Sequence, residues 1–509
     1  MRGAVVRSLL AVFVLGTSAA ACEHFGFEGA TPAFSGSGGV GATGGSGGTR
    51  DVSAAGAGGV DTSSPTIVYE PGEPEGFGGA PGTRVSTIAL KDDVFRVVRR
   101  SDDEVIVSGQ ARLESSETGD WVQCIHETDG VRWKRWLAHG VPWHQGRGEA
   151  AVDARGHTWF ANSFVGTLRI GDTSVTSVVN PGQPEGNFDE HGRPSDDVFL
   201  AELDELGALV SLRTFGGVGR QALLGMKLDA RGNPVLVGMF SGRMDFGDVE
   251  LTSSGGSLSA DLFVVRLSPE GEVLQANQFA QTALMVNDFA LDSQDRVVMA
   301  GSSMPQGGTL GAGTLLELGE GWALALTKEG DIAWSSSFGS LRGLAVSSVA
   351  IDSKDNSVFS VRAKLTAPVF DTPSGGGAVV VKLDSAGEPL FVKRFGEISV
   401  DNVREVAILP DDSFVIGGHF SSGIDLGGGR LEALFPNEYD ADVFVARLGA
   451  NGEHIWSLHA GGKGGDYAPD VAVVRPDRVA LLGSFSTAID WGDGVVQRQG
   501  GPYLAWLTP

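Results

Sequence analysis

Four residues able to ligate a metal, Cys124, His126, His139 and His144, fall within twenty-one positions beside Trp121, Trp133, Trp136 and Trp143. Zinc needs convergent ligands, and C-x-H…H-x4-H is not a spacing that known sites use. The tryptophans read instead as sheet packing, or as an aromatic patch for sugar rings. Glu438, Asp440 and Asp442 place carboxylates at alternate positions, as a calcium loop does, but no glycine-centred D-x-D-x-D-G is completed, so solvated acids are the plainer reading. Asp245, Asp425 and Asp490 each stand two residues before a glycine and read as turn formers that accept backbone hydrogen bonds. The adjacent pairs Asp92-Asp93, Asp102-Asp103, Asp196-Asp197 and Asp411-Asp412 do not suit acid–base work, because neighbours on a strand point to opposite faces. Two glycine-rich matches, Gly36 to Gly41 (G-x-G-x-x-G) and Gly44 to Gly48 (G-x-S-x-G), lack the strand and helix that would give them meaning. No catalytic, cofactor-binding or metal-ligating residue is assigned from motifs, and no cofactor is expected.

The elements that must carry these residues are constrained by composition. The chain has 509 residues, 76 of them glycine, with 41% hydrophobic residues and a formal charge of −25. There is no G-X-Y period, so the glycine excess is not collagen, and the apolar content is too high for a wholly disordered chain. A strongly acidic chain lacks the basic footprint of a nucleic-acid binder.

Residues 1–21 read as a secretory signal: Arg2 and Arg7, then the apolar run from Leu9 to Gly16, then small residues ending at Ala21. Cys22 follows Ala19-Ala20-Ala21, the place of the acylated cysteine in a bacterial lipoprotein signal, although Ala19 stands where a larger apolar residue is usual. With Cys22 acylated, only Cys124 is left and no intrachain disulfide forms; a Cys22–Cys124 bridge is the alternative. Residues 22–82 read as a tether, with eleven glycines between Ser35 and Gly59 and then Pro65, Pro71, Pro74 and Pro81.

From residue 83 onward the chain repeats. Val443 to Leu448 is echoed at Val198 to Leu203, Leu262 to Leu267, Gly321 to Leu326, Ala378 to Leu383, Trp121 to Ile125 and Tyr503 to Leu507, seven copies in all. Five run into a turn ending in Gly207, Gly271, Gly330, Gly387 or Gly452. A second strand often ends in Phe-Gly, a third is a short apolar run, and a fourth climbs to a glycine such as Gly238, Gly301, Gly418 or Gly483. Positions Arg100, Asp153, Asp229, Asp292, Asp352, Leu409 and Val474 anchor the seven turns between the last two strands. Four antiparallel strands, seven times, with no helical period, predict an all-β chain: a seven-bladed β-propeller of four-stranded antiparallel blades over 83–509, preceded by a signal peptide and a flexible tether. The seventh blade lacks one strand, and Arg84 to Leu90 is expected to supply it.

The segments Gly238 to Gly247, Gly418 to Gly427 and Gly483 to Gly492, with the strand Asp442 to Leu448, resemble the SBBP-type β-propeller repeat of bacterial cell-surface proteins, including lipoproteins. The stretch 292–400 departs most from the pattern. The resemblance implies the fold and a place at the cell envelope, outer membrane or cell surface, and brings no activity. The resulting expectation is a non-enzymatic, lipid-anchored monomer whose propeller binds an envelope protein or polysaccharide, touching membrane through its N-terminal lipid only and no nucleic acid. Candidate binding loops are Val175 to Ser195, Pro305 to Gly313 and Phe435 to Asp440. The second class is an envelope polysaccharide lyase or hydrolase with a loop-built site, marked by a pocket at the channel mouth holding two or more convergent carboxylates, histidines or a metal; the third is a purely structural surface protein.

Overall fold

A computed structural model describes residues 83–508, apart from 113–117, 139–147, 179–195, 255–259, 283, 304–307, 312–315, 319–320, 340–343, 364–376, 397–400, 436–439, 492–494 and 498–499. The signal segment, Cys22, the tether, His139, Trp143, His144, Glu438 and most of the three candidate loops lie outside the described residues.

All described secondary structure is β, in seven four-stranded antiparallel blades. Each blade runs outward from a first, innermost strand: Asp93–Arg99, Glu149–Val152, Gln221–Leu228, Leu284–Leu291, Leu344–Ile351, Asn402–Ile408 and Tyr467–Arg475. These seven strands touch one another in a closed ring. The blade that opens with Tyr467–Arg475 continues through Arg478–Phe485 and Gly501–Thr508 and is completed by Thr83–Ala89. The start of the propeller thus pairs with its end, Thr83 opposite Thr508 and Ala89 opposite Tyr503, in the manner expected for 84–90.

The third strands are apolar at nearly every position because each blade is sandwiched between two others. Along Asp261–Leu267, Leu262 and Val264 face the fourth blade, whereas Phe263, Val265 and Leu267 face the second. Alternate side chains of one strand therefore enter two different cores. There are seven such cores, one in each space between neighbouring blades.

The glycine toward the end of five of the second strands has a steric cause. In five blades it pairs directly with the third strand's large ring: Gly109 with Trp121, Gly238 with Phe263, Gly301 with Trp322, Gly418 with Phe444 and Gly483 with Tyr503. A side chain there would overlap both the ring and a carbonyl of the first strand. Gly207, Gly271, Gly330, Gly387 and Gly452 all adopt positive φ, between 75° and 95°, as their turns require.

The repeat's Asp-x-Gly segments form short hairpins between second and third strands. Asp245 caps its own turn, its Oδ1 accepting from the Gly247 amide at 2.7 Å, and Asp425 does the same for Gly427 at 2.8 Å. The hairpin also docks on the preceding blade: the Asp245 amide donates to the Gly216 carbonyl at 2.9 Å, and Asp490 to Gly461 at 2.7 Å.

Candidate functional site

At one register position every first strand carries a β-bulge or a strand start, and the side chain just after it faces the axis. The seven positions are Arg96, Glu149, Gly225, Asp288, Ser348, Glu405 and Asp470. Gly225 leaves a gap on the third blade, and Lys227, two residues along the same face, reaches Asp288 at 3.8 Å. Two cations and four carboxylates thus converge in a girdle around the axis. Arg96 is its hub, 3.0 Å from Glu149, 3.5 Å from Glu405 and 4.0 Å from Asp470. Glu405 also accepts from the Ser348 hydroxyl at 2.7 Å.

Part of this arrangement is backbone repair. A bulge frees an amide on the first strand, and an unpaired buried amide is costly. Asp288 accepts from its own neighbour Phe289 at 2.8 Å and from Val349 of the next blade at 3.0 Å. Asp470 does the same with Val471 at 3.0 Å and Val97 at 2.6 Å. Ser348 accepts from Val406 at 3.4 Å. The girdle therefore stitches neighbouring blades at the axis.

Glu405 is not held by any backbone amide in this set. Burial pushes its carboxyl well above the usual carboxylate range, the neighbouring Asp470 charge adds to this, and Arg96 opposes it only in part. Burial also pushes Asp470 up, to about 6, with Arg96 and the Val97 amide pulling back. Burial thus favours a proton on Glu405, beside an Asp470 held nearer the carboxylate range by Arg96 and the Val97 amide, a separation of environments on which acid–base chemistry depends. Water reaches this ring, since Lys227 keeps 38% of its side chain exposed and Arg96 16%.

None of the girdle residues stands out by motif. A signal was nevertheless present: the seven register positions each lie four residues before one of the turn anchors, Arg96 before Arg100, Glu149 before Asp153, and so on to Asp470 before Val474. Five of the seven are charged, and a charge at that offset within apolar strands marks the axis.

The residues singled out from sequence lie elsewhere. Cys124 is buried between the first two blades, its sulfur accepting from the Arg100 guanidinium at 3.1 Å. His126 bonds Asp103 at 3.1 Å at a surface turn. Asp442 is buried, accepting from His459 and from the Leu434 amide, both at 2.7 Å, so it ties down its own loop. Asp197 is likewise taken by the Val178 amide at 2.6 Å.

No protein-family model matches the chain, and no curated protein matches it. Among solved structures it is similar to puromycin hydrolase (12% identity, TM-score 0.44), covering 79% of this chain and 51% of that one. It is also similar to an ulvan lyase of a polysaccharide lyase family (7% identity, TM-score 0.44, 82% and 94% covered). A third is an inactive variant of virginiamycin B lyase from Staphylococcus aureus with quinupristin (9% identity, TM-score 0.37, 83% and 99% covered). This chain spans about half the length of the puromycin hydrolase. Likeness at this level is one of fold.

The expectation of a non-enzymatic module is corrected here. The propellers similar in fold include a hydrolase and lyases, so the architecture lends it no support. The axial channel is lined by carboxylates paired to Arg96, not by small apolar residues alone.

Proposed function

We propose that the chain is an exported, lipid-anchored envelope hydrolase acting on polysaccharide, with its acid–base site in the axial girdle. The observation that carries this reading is Glu405, pushed toward its protonated form by burial and set by Ser348 and Arg96 near Asp470. In glycoside cleavage one carboxylic acid protonates the leaving oxygen, and a second carboxylate attacks or activates water. Glu405 fills the first role and Asp470 the second, while Arg96 orients both. With Glu405 neutral, three carboxylates still face two cations, and this surplus of negative charge favours a cation-like transition state. The same surplus disfavours elimination from an acidic sugar, whose carboxylate would need neutralising.

The export signal of residues 1–21, Cys22 and the tether support a lipid anchor at the outer membrane or cell surface, with membrane contact through the lipid alone. The acidic composition supports a monomer that binds no nucleic acid.

The test is release of reducing ends from a panel of neutral and acidic envelope glycans by the purified chain. Glu405→Gln is expected to lower the rate at least about 100-fold while the fold is retained. Full activity in Glu405→Gln, or unsaturated rather than hydrolysed products, would overturn the assignment.

A further inference from the structure

Four blades build the turn between their first and second strands alike. Oδ1 of Asp153, Asp229, Asp292 and Asp352 accepts from the amides two and four residues on, all between 2.8 and 3.0 Å. The other oxygen faces outward along the sheet. In the third blade it meets Arg266, and in the fifth Lys382 at 2.8 Å. Both cations sit on the third strand, opposite the residue six after the aspartate: Val235 for Arg266 and Val358 for Lys382.

In the second blade this register position, opposite Trp159, is Glu202. Two carboxylates with side chains only 5% and 7% exposed now face each other where sister blades pair an acid with a base. Their partners come from elsewhere: His157 Nδ1 lies 2.9 Å from Glu202 Oε1. Arg155 Nη2 lies 2.7 Å from Asp153 Oδ2 and 2.8 Å from the same Glu202 oxygen, a single cationic atom seated between both acids. Arg155 also donates its Nε to Asp153 Oδ2 at 3.0 Å but is 55% exposed, and the third blade pairs Asp229 with Arg266. Trp159 Nε1 at 3.2 Å from Asp153 Oδ2, and Ser211 Oγ at 3.2 Å from Glu202 Oε2, hold the two carboxylates in place.

We propose that Asp153, His157 and Glu202 form a site for a divalent transition metal, with Arg155 as its displaceable occupant. One imidazole nitrogen and two carboxylate oxygens, all within 4.8 Å of one another, are the donor set of zinc, manganese or cobalt rather than of calcium, which takes oxygen alone. Three protein ligands leave a coordination position open, where the guanidinium now sits. The site is separate from the girdle and does not depend on the reading of Glu405.

The test is calorimetric titration of the intact chain with zinc, manganese and cobalt chlorides, alongside visible absorption of the cobalt form. Binding of one ion per chain is expected, with the absorption of nitrogen- and oxygen-ligated cobalt. Arg155→Ala, which removes the occupant, is expected to bind at least about tenfold more tightly. Glu202→Lys, which installs the ion pair of the fifth blade and should fold as well as the parent by thermal unfolding, is expected to lose that ion. Unchanged stoichiometry in Glu202→Lys, or no tightening in Arg155→Ala, would overturn the proposal.

Discussion

The carboxylate of Asp470, in the last blade, accepts a hydrogen bond from the backbone amide of Val97, in the first, at 2.6 Å. With the pairing of Thr83–Ala89 against Gly501–Thr508, it closes the ring at the axis as well as at the rim. Asp470→Ala strands two buried amides and removes a partner of Arg96, and is expected to lower stability by about 3 kcal/mol. Asp470→Asn keeps one carbonyl acceptor and should lose about half of that. Urea unfolding of both variants measures the difference; equal losses would show that burial, and not the clasp, matters at this position.

Two adjacent glycines in the sixth blade should behave oppositely. Gly418 pairs with Phe444, and a Cβ there would lie 2.7 Å from the ring and overlap the Asn402 carbonyl. Gly417, on the other face, has its nearest foreign atom, in Leu481, at an ordinary 3.5 Å. Gly418→Ala is therefore expected to destabilise by about 2–3 kcal/mol, and Gly417→Ala by less than about 0.5 kcal/mol. Thermal unfolding midpoints of the two variants decide it.

Asp466 is fully buried, and burial raises its carboxyl to about 8. Its Oδ1 accepts from the Ser486 amide at 3.1 Å. A raised folded value means that the native state holds a proton which the unfolded chain gives up near pH 4, so this contribution to stability falls as pH rises from about 4 to 8. Asp466→Asn keeps the acceptor and removes the titration. Its advantage over the parent should grow across that range and level off above pH 8. A pH-independent difference between the two unfolding curves would count against this.

Cys124 is fully buried, and burial pushes its thiol up despite the nearby Arg100. It should resist alkylation in the native protein and react fully after unfolding, because the thiolate is the nucleophile. Mass spectrometry of iodoacetamide-treated protein, native against denatured, reads this directly. Rapid native labelling would place the thiol at the surface.

The number of blades, their strands and the closing strand were legible in the sequence because they rest on local causes. Turn glycines need positive φ, apolar runs need two buried faces, and in five blades a glycine stands opposite the third strand's large ring. Requirements of this kind recur from blade to blade, and recurrence makes them visible in one dimension. The girdle and the Asp153–His157–Glu202 cluster were not read, because the first is assembled by ring closure and the second by strand register within one blade. Arg96 and Glu405 are 309 positions apart and meet only when the sixth blade comes round beside the seventh and first. Glu202 reads as one more polar strand residue until register sets it where Arg266 and Lys382 stand in sister blades. The sequence by itself determined a seven-fold repeat of hairpins, since hairpin geometry depends on neighbours in the chain. Which acids lose their water and which share a cation was decided by the tertiary structure alone, because burial comes from the neighbouring blades and charge proximity from strand register and ring closure.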